Sequence, residues 1–88
     1  MDRGTTPSEL NECAADLWCS GDREVALAIW ESMPASAVAS FNLGMANLML
    51  GRSRAASAPL REAVARLPEN SGWHHLAALY LSVAGARS

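Results

Sequence analysis

The stretch LGMANLMLGRSRAASAPLREA, residues 43–63, contains the small residues and the glycine stop that decide the fold. Gly44 and Ala56 stand on either side of Gly51, as expected for two helices that cross closely and are joined by a tight turn. The stretch CAADLWCSGDREVALAIWESM, residues 13–33, repeats this pattern at an offset of 30. The matching pairs are Ala14 and Gly44, Gly21 and Gly51, Ala26 and Ala56, Trp30 and Leu60, and Met33 and Ala63. The sequence therefore predicts an internal repeat of helical hairpins.

A third, partial copy stands in WHHLAALYL, residues 73–81, at an offset of 33 from the second. The second and third copies together resemble the tetratricopeptide repeat family, whose hairpin pattern is W-x2-L-G-x2-Y, then A-x3-F, then Pro. The resemblance covers about residues 8–84. The residues that carry it are Leu43, Gly44, Gly51, Ala56, Leu60, Ala63 and Pro68 in the second copy, and Trp73, Leu76, Ala77 and Tyr80 in the third.

The resemblance implies an all-α fold of five helices, stacked as antiparallel hairpins in a short right-handed solenoid. It implies a single domain over residues 1–88, with repeats at about 7–36 and 37–70 and a partial repeat at about 71–84. The first step of 30 residues is shorter than the family's usual 34. About one helical turn is therefore expected to be missing from the end of the second helix.

Cap signals predict where the helices begin and end. Thr6 and Glu9 form a capping box with Pro7 at the first helical position, and Gly21 ends this first helix. Helix two is predicted over residues 22–33 and helix three over residues 36–50. Helix four is predicted to begin at a Ser53 cap and to end near residue 67. Helix five is predicted to begin at a cap formed by Asn70 or Ser71.

Composition and charge exclude several classes of protein. No apolar run is long enough for a membrane span, and nothing resembles a signal peptide, so a soluble, cytoplasmic protein is expected. The net charge of −2 gives no basis for nucleic-acid binding. Arginine without lysine, together with abundant alanine, fits a GC-rich bacterial genome.

The charge is unevenly distributed along the chain. Residues 1–34 carry two arginines against seven acids, a net −5, whereas residues 35–88 carry five against two, a net +3. This asymmetry favours either head-to-tail association or simply solvated faces of unequal sign.

The residues that could carry chemistry are poorly arranged for it. His74 and His75 are adjacent, so on a helix they point about 100° apart and do not form a ligand pair. Cys13 and Cys19 lie in a different predicted helix from both histidines, without a recognisable basic partner. We therefore expect no enzyme activity, no catalytic residues, no cofactor and no metal site.

The repeat phase, carried over from the family, predicts a concave groove lined by the first helix of each repeat. An apolar helix or extended peptide of another protein would bind there, with Trp18, Phe41 and Met49 as anchors. Helix three is apolar all round because one side would be core and the other groove. The alternative to a groove that binds a partner is a groove that closes on itself in a five-helix bundle. The predicted lining is Asn11, Ala15 and Trp18 from helix one, Val38, Phe41, Met45, Leu48 and Met49 from helix three, and His74, Ala78 and Leu81 from helix five.

A rival hypothesis is a homodimeric scaffold. The third repeat lacks its second helix, which leaves the end of the array without the polar cap that repeat proteins need. Another copy of the chain would then cover the exposed helix, unless the chain is one piece of a longer array. The predicted dimer surface is Leu76, Leu79, Tyr80 and Val83.

Overall fold

The computed structural model describes residues 6–34 and 36–87, and these residues form five α-helices. The predicted all-α class is confirmed. No helix within the described ranges combines the length and the apolar character that crossing a membrane requires. The helices are α1 (Pro7–Ser20), α2 (Arg23–Ser32), α3 (Ala37–Met49), α4 (Ser53–Arg66) and α5 (Gly72–Arg87).

The chain divides into two compact units, Met1–Pro34 and Ala35–Ser88. The first unit contains α1 and α2, and the second contains α3, α4 and α5. The division lies close to the predicted end of the first repeat at residue 36. That the units together form the single domain and the solenoid implied by the resemblance stays a prediction.

Side-chain caps start three of the helices. The Thr6 hydroxyl accepts a hydrogen bond from the Glu9 N–H at 3.1 Å, and the Glu9 carboxylate accepts one from the Thr6 N–H at 2.9 Å, so the predicted capping box is present. The hydroxyls of Ser36 and Ser71 each accept a backbone N–H from three residues ahead, both at 3.1 Å. Of the two predicted caps for α5, Ser71 is therefore the one that forms this bond.

The predicted Ser53 cap of α4 is wrong by one residue. Arg52 is the cap position and Ser53 is the first helical residue. The reason is that the Arg52 carbonyl already accepts the N–H of Ala56 at 3.0 Å, so helical bonding begins one residue earlier than predicted.

Gly21 and Gly51, which match in the repeat, end α1 and α3 in the same way. Both have the left-handed backbone that favours glycine, with φ of 103° and 79°. Each glycine N–H donates to the carbonyl three residues back, at 3.2 and 3.0 Å. The next residue donates to the carbonyl five residues back, at 2.8 Å in both cases. The glycine turns at the matching positions of the 30-residue repeat thus have the same hydrogen bonds in both units.

The first unit is a helical hairpin with a small core. Ala14 from α1 and Ala26 from α2 are both completely buried, so the two predicted small residues lie inside. The Trp30 ring is also buried, and its Nε1–H donates to the Asn11 side-chain oxygen at 2.9 Å. This bond satisfies the polar atom of the largest side chain in the hairpin core.

The second unit packs α4 against both α3 and α5, and α3 also contacts α5. Leu60 of α4 is completely buried, and it reaches so close to α3 that a Cβ at position 44 would stand 2.5 Å from its Cγ. Gly44 therefore permits the close crossing that the small residues predict. Two core clusters fill the unit: Leu48, Ala56, Leu60 and Ala84, and Phe41, Ala63 and Ala77.

Candidate functional site

Two of the groove residues predicted in α1, Asn11 and Trp18, contact side chains of their own hairpin. Asn11, Ala15 and Trp18 are all half-buried. Asn11 accepts the hydrogen bond from Trp30, and the ring of Trp18 lies 6.1 Å from that of Trp30, measured between centroids. The guanidinium carbon of Arg23 lies 4.9 Å from the Trp18 ring centroid, which is a cation–π contact.

Two predicted groove residues of α3 are buried. Phe41 is 6% exposed and Leu48 is 8% exposed. The Phe41 ring packs edge-on against Trp73 at 5.3 Å and stacks on Tyr80 at 5.9 Å. The exposure predicted for Phe41 is thus corrected, because side chains of α5 cover its ring. Leu48 packs into the cluster around Leu60, and only a small part of its surface stays accessible.

The other predicted residues of α3 are accessible. Met49 is 65% exposed, Val38 is 54% exposed and Met45 is half-buried. Met45 and Met49 are four residues apart and therefore share a face of the helix. Val38 stands in the first turn of α3, at the opposite end from Met49.

A groove runs between α3 and α5 in the second unit. Its volume of about 260 Å³ is below the range of about 300–1,000 Å³ typical of small-molecule pockets, so it is better suited to side chains of a partner. We call this site the α3–α5 groove. Its lining is Met45, Leu48 and Met49 from α3, and Tyr80, Val83 and Arg87 from α5.

The structure combines two surfaces that the sequence separated. Met45 and Met49 were predicted to bind a partner, and Tyr80 and Val83 to be covered by a second copy of the chain. All four line the same groove. The sequence shows that each pair shares a helical face, but the meeting of the two faces depends on how α5 packs against α3.

The remaining predicted residues of α5 lie outside the α3–α5 groove. Leu76 and Leu81 are half-buried against the core clusters, whereas Ala78 and Leu79 are exposed, Leu79 by 58%. The Nδ1 atom of His74 is buried and has no hydrogen-bond partner among the residues that the structure describes. The three residues predicted for the groove from α5, His74, Ala78 and Leu81, are therefore not part of its lining.

A second, shallow depression adjoins the end of the groove, and sequence reasoning missed it. It lies where the turn before α4 meets the last turn of α5. Arg87 lines both this depression and the α3–α5 groove. We call it the arginine depression. The sequence signal that could have found it is the net charge of +3 over residues 35–88. Its lining is Gly51, Arg52, Ser53, Arg54, Ala55 and Arg87.

The cysteines and potential metal ligands are dispersed over the part of the chain that the structure describes. Cys13 and Cys19 are free and exposed. Within residues 6–34 and 36–87, no three His, Cys, Asp or Glu side chains come together as a metal-binding group.

Comparison with known protein families, characterised proteins and solved structures gives no match for this chain. The resemblance to the tetratricopeptide repeat family accordingly stays a prediction.

Proposed function

We propose that this chain is a non-catalytic protein-interaction module, built as a short tetratricopeptide-type array, which binds an apolar helix or extended segment of another protein in the α3–α5 groove. The observation that carries the proposal is the exposure of Met49, 65%, beside the other apolar side chains of the groove. A large apolar side chain left in water next to a concave apolar surface is typical of interaction sites.

The walls of the groove have the properties that a recognition surface needs. Leu48 is fixed in the core cluster with Leu60 and Ala84, and Tyr80 is held by its stack on Phe41. Met45 and Met49, by contrast, are flexible thioethers that adapt to irregular partner surfaces. A rigid floor with adaptable edges favours binding of side chains from a helix or strand.

The tetratricopeptide part of the proposal is supported by two features of the hairpins. Gly21 and Gly51 end equivalent helices with equivalent hydrogen bonds, 30 residues apart. The close approach of Gly44 to Leu60 supplies the small-residue crossing that the family pattern calls for. The same hairpin used twice is what a repeat array requires.

The size of the groove limits the affinity that apolar contact alone can give. Covering on the order of 200 Å² of apolar surface at about 25 cal/mol per Å² yields roughly 5 kcal/mol. Association itself costs about 4–15 kcal/mol in lost translational and rotational freedom. We therefore expect weak binding from the groove alone, and further contacts at its edge in any stable complex.

The test is selection of a random-peptide phage library on the immobilised full chain. Met49→Glu places a charge in the groove at an exposed position, so the fold should tolerate it. Leu79→Glu is the matched control, because Leu79 is similarly exposed, 58%, on α5 but does not line the groove. We expect peptides selected on the native chain to lose about tenfold or more in affinity for Met49→Glu, since the variant puts a carboxylate where apolar side chains of the peptide pack.

The affinity of the same peptides for Leu79→Glu should stay within about twofold of the native value, because an uncovered surface charge contributes little. Circular dichroism of both variants checks that the helices remain. Peptides that bind both variants equally well, or no enriched peptides at all, would overturn the proposed function.

Self-assembly remains the second candidate, and the exposure of Leu79 on the outer face of α5 favours it. A second copy seated on α5 would cover this residue. Sedimentation equilibrium then gives a mass that rises with concentration, and Leu79→Glu abolishes that rise. A mass of one chain at all concentrations contradicts the dimer.

We also propose a cytoplasmic protein that binds neither nucleic acid nor membranes. The free, exposed thiols of Cys13 and Cys19 support a reducing compartment. The net charge of −2 argues against a phosphate backbone as partner.

A further inference from the structure

One end of the α3–α5 groove is positively charged. Arg87, in the last turn of α5, lines both the groove and the arginine depression next to it. Arg54, in the first turn of α4, is also exposed and lines the depression. A partner segment that follows the apolar walls therefore reaches guanidinium groups as it leaves the groove.

The second unit has few carboxylates to balance these arginines. Between residues 35 and 88 the acids are Glu62 and Glu69, and the Glu62 carboxylate pairs with Arg66. Neither acid lines the groove or the depression in the part of the chain that the structure describes. α4 also begins beside these arginines without a side-chain cap on its first N–H groups, which adds to the positive potential there.

A second copy of the chain is complementary to the charge of this surface but not to its apolar part. Its most acidic helix is α1, whose exposed face carries Glu9, Glu12 and Asp16. Those carboxylates are complementary in charge to the arginines of the groove and the depression. Among the described side chains that line this face, the apolar ones are the exposed Cys13 and the half-buried Leu17. A different protein with both apolar and acidic side chains fits the surface better.

We infer that the partner of the α3–α5 groove is an acidic, amphipathic segment of another protein. Its apolar side chains lie against Met45, Met49 and Val83, and its carboxylates contact Arg54 and Arg87. This inference rests on the proposed function, because it names the chemistry of the partner at that site. It follows from charge complementarity, which sets the orientation and the specificity of such complexes.

The peptide selection described above tests the inference if the enriched sequences are read. We expect peptides with apolar residues at helical or alternating spacing and with clustered Asp or Glu toward one end. Their affinity should fall as salt rises, because the arginines are exposed and screened by ions.

Single charge reversals locate the acidic contact. Arg54→Glu and Arg87→Glu should each weaken a selected peptide by about fivefold, the upper range for an exposed ion pair. Arg61→Glu is the matched control, since Arg61 is exposed on α4 but lines neither the groove nor the depression. Its effect should stay within about twofold because distant exposed charges are screened.

The outcomes separate this inference from the proposed function. Neutral or basic peptides whose affinity is lowered by Met49→Glu, but not by Arg54→Glu or Arg87→Glu, would overturn the acidic partner. The proposal that the α3–α5 groove binds a partner would still hold. Sedimentation that shows the chain associating with itself, with loss on Met49→Glu, would replace the partner with a second copy. The absence of any Met49-dependent peptide would overturn both. Acidic amphipathic peptides weakened by Arg54→Glu and Arg87→Glu, but not by Arg61→Glu, are the result that supports the inference.

Discussion

Each of the two units contains a helical hairpin with the same glycine turn, but equivalent positions carry different residues. At an offset of 30, Asn11 of the first unit matches Phe41 of the second, and Trp30 matches Leu60. In the first unit the Trp30 indole donates to the side chain of Asn11, so a polar bond joins the two helices. In the second unit the position of Asn11 is taken by Phe41, whose ring is covered by aromatic side chains of α5.

The two positions differ in which side chains they contact. Asparagine at position 11 satisfies a buried indole from inside its own hairpin. Phenylalanine at position 41 gives an apolar surface that a third helix covers, and α5 does so in this structure. The α3–α5 groove lies along the contact between these two helices, so the candidate binding site depends on the third helix of the second unit.

The largest predicted effect on stability comes from truncating a core side chain of the second unit. Leu60→Ala should lower the free energy of unfolding by about 2–5 kcal/mol, because Leu60 is completely buried and a cavity would remain. Urea unfolding followed by circular dichroism measures it. A loss below about 1 kcal/mol would contradict the tight packing of α4 against α3.

Gly44→Ala sharpens the same prediction through a double-mutant cycle. Alone, it should cost about 1–3 kcal/mol because the new Cβ overlaps Leu60. In the Leu60→Ala background most of this cost should vanish, since the obstructing atoms are gone. Gly85→Ala in α5 is the control: a Cβ there meets nothing within 4 Å, so it should stabilise the helix by about 0.5–1 kcal/mol. Additive costs for positions 44 and 60 would contradict the close crossing.

The polar bond of the first unit is the next test. Asn11→Ala should cost about 1–3 kcal/mol, because the buried Trp30 indole N–H loses its acceptor. With Trp30→Phe already in place, the same change should cost much less, since no indole remains to be satisfied. Equal costs of Asn11→Ala in both backgrounds, measured by urea unfolding, would show that the bond does not stabilise the hairpin.

The smallest predicted effect on stability concerns the glycine turn that both units contain. Gly21→Ala and Gly51→Ala should each cost about 1 kcal/mol, because both positions require a left-handed backbone that alanine adopts poorly. The two costs should be equal within about 0.5 kcal/mol if the turns are equivalent. A neutral substitution at either glycine would contradict the repeated turn.

The sequence predicted those features that depend on residues close together in the chain. The capping box of Thr6 and Glu9 and the stops at Gly21 and Gly51 involve neighbours within five positions, so local chemistry determined them. Even the error at Ser53 was only one residue, because the exact start of α4 depends on how the preceding turn closes.

The candidate site was predicted less well because it depends on packing between distant segments. α5 carries apolar residues on nearly every face, so its pattern does not indicate which side lies against α3. This explains why Phe41 was expected to be exposed and why Tyr80 was assigned to a separate surface. The arginine depression brings Arg54 and Arg87 together across 33 positions of sequence, a separation at which local pattern carries no information.

The most direct test of the account is the methyl NMR spectrum of the chain labelled at methionine, recorded with and without a Met49-dependent peptide. Met45 and Met49 line the groove, whereas Met33 lies in the other unit and serves as an internal reference. The account predicts that the methyl resonances of Met45 and Met49 shift on peptide binding and that the resonance of Met33 does not. Binding that leaves Met45 and Met49 unchanged would contradict the α3–α5 groove as the site of interaction.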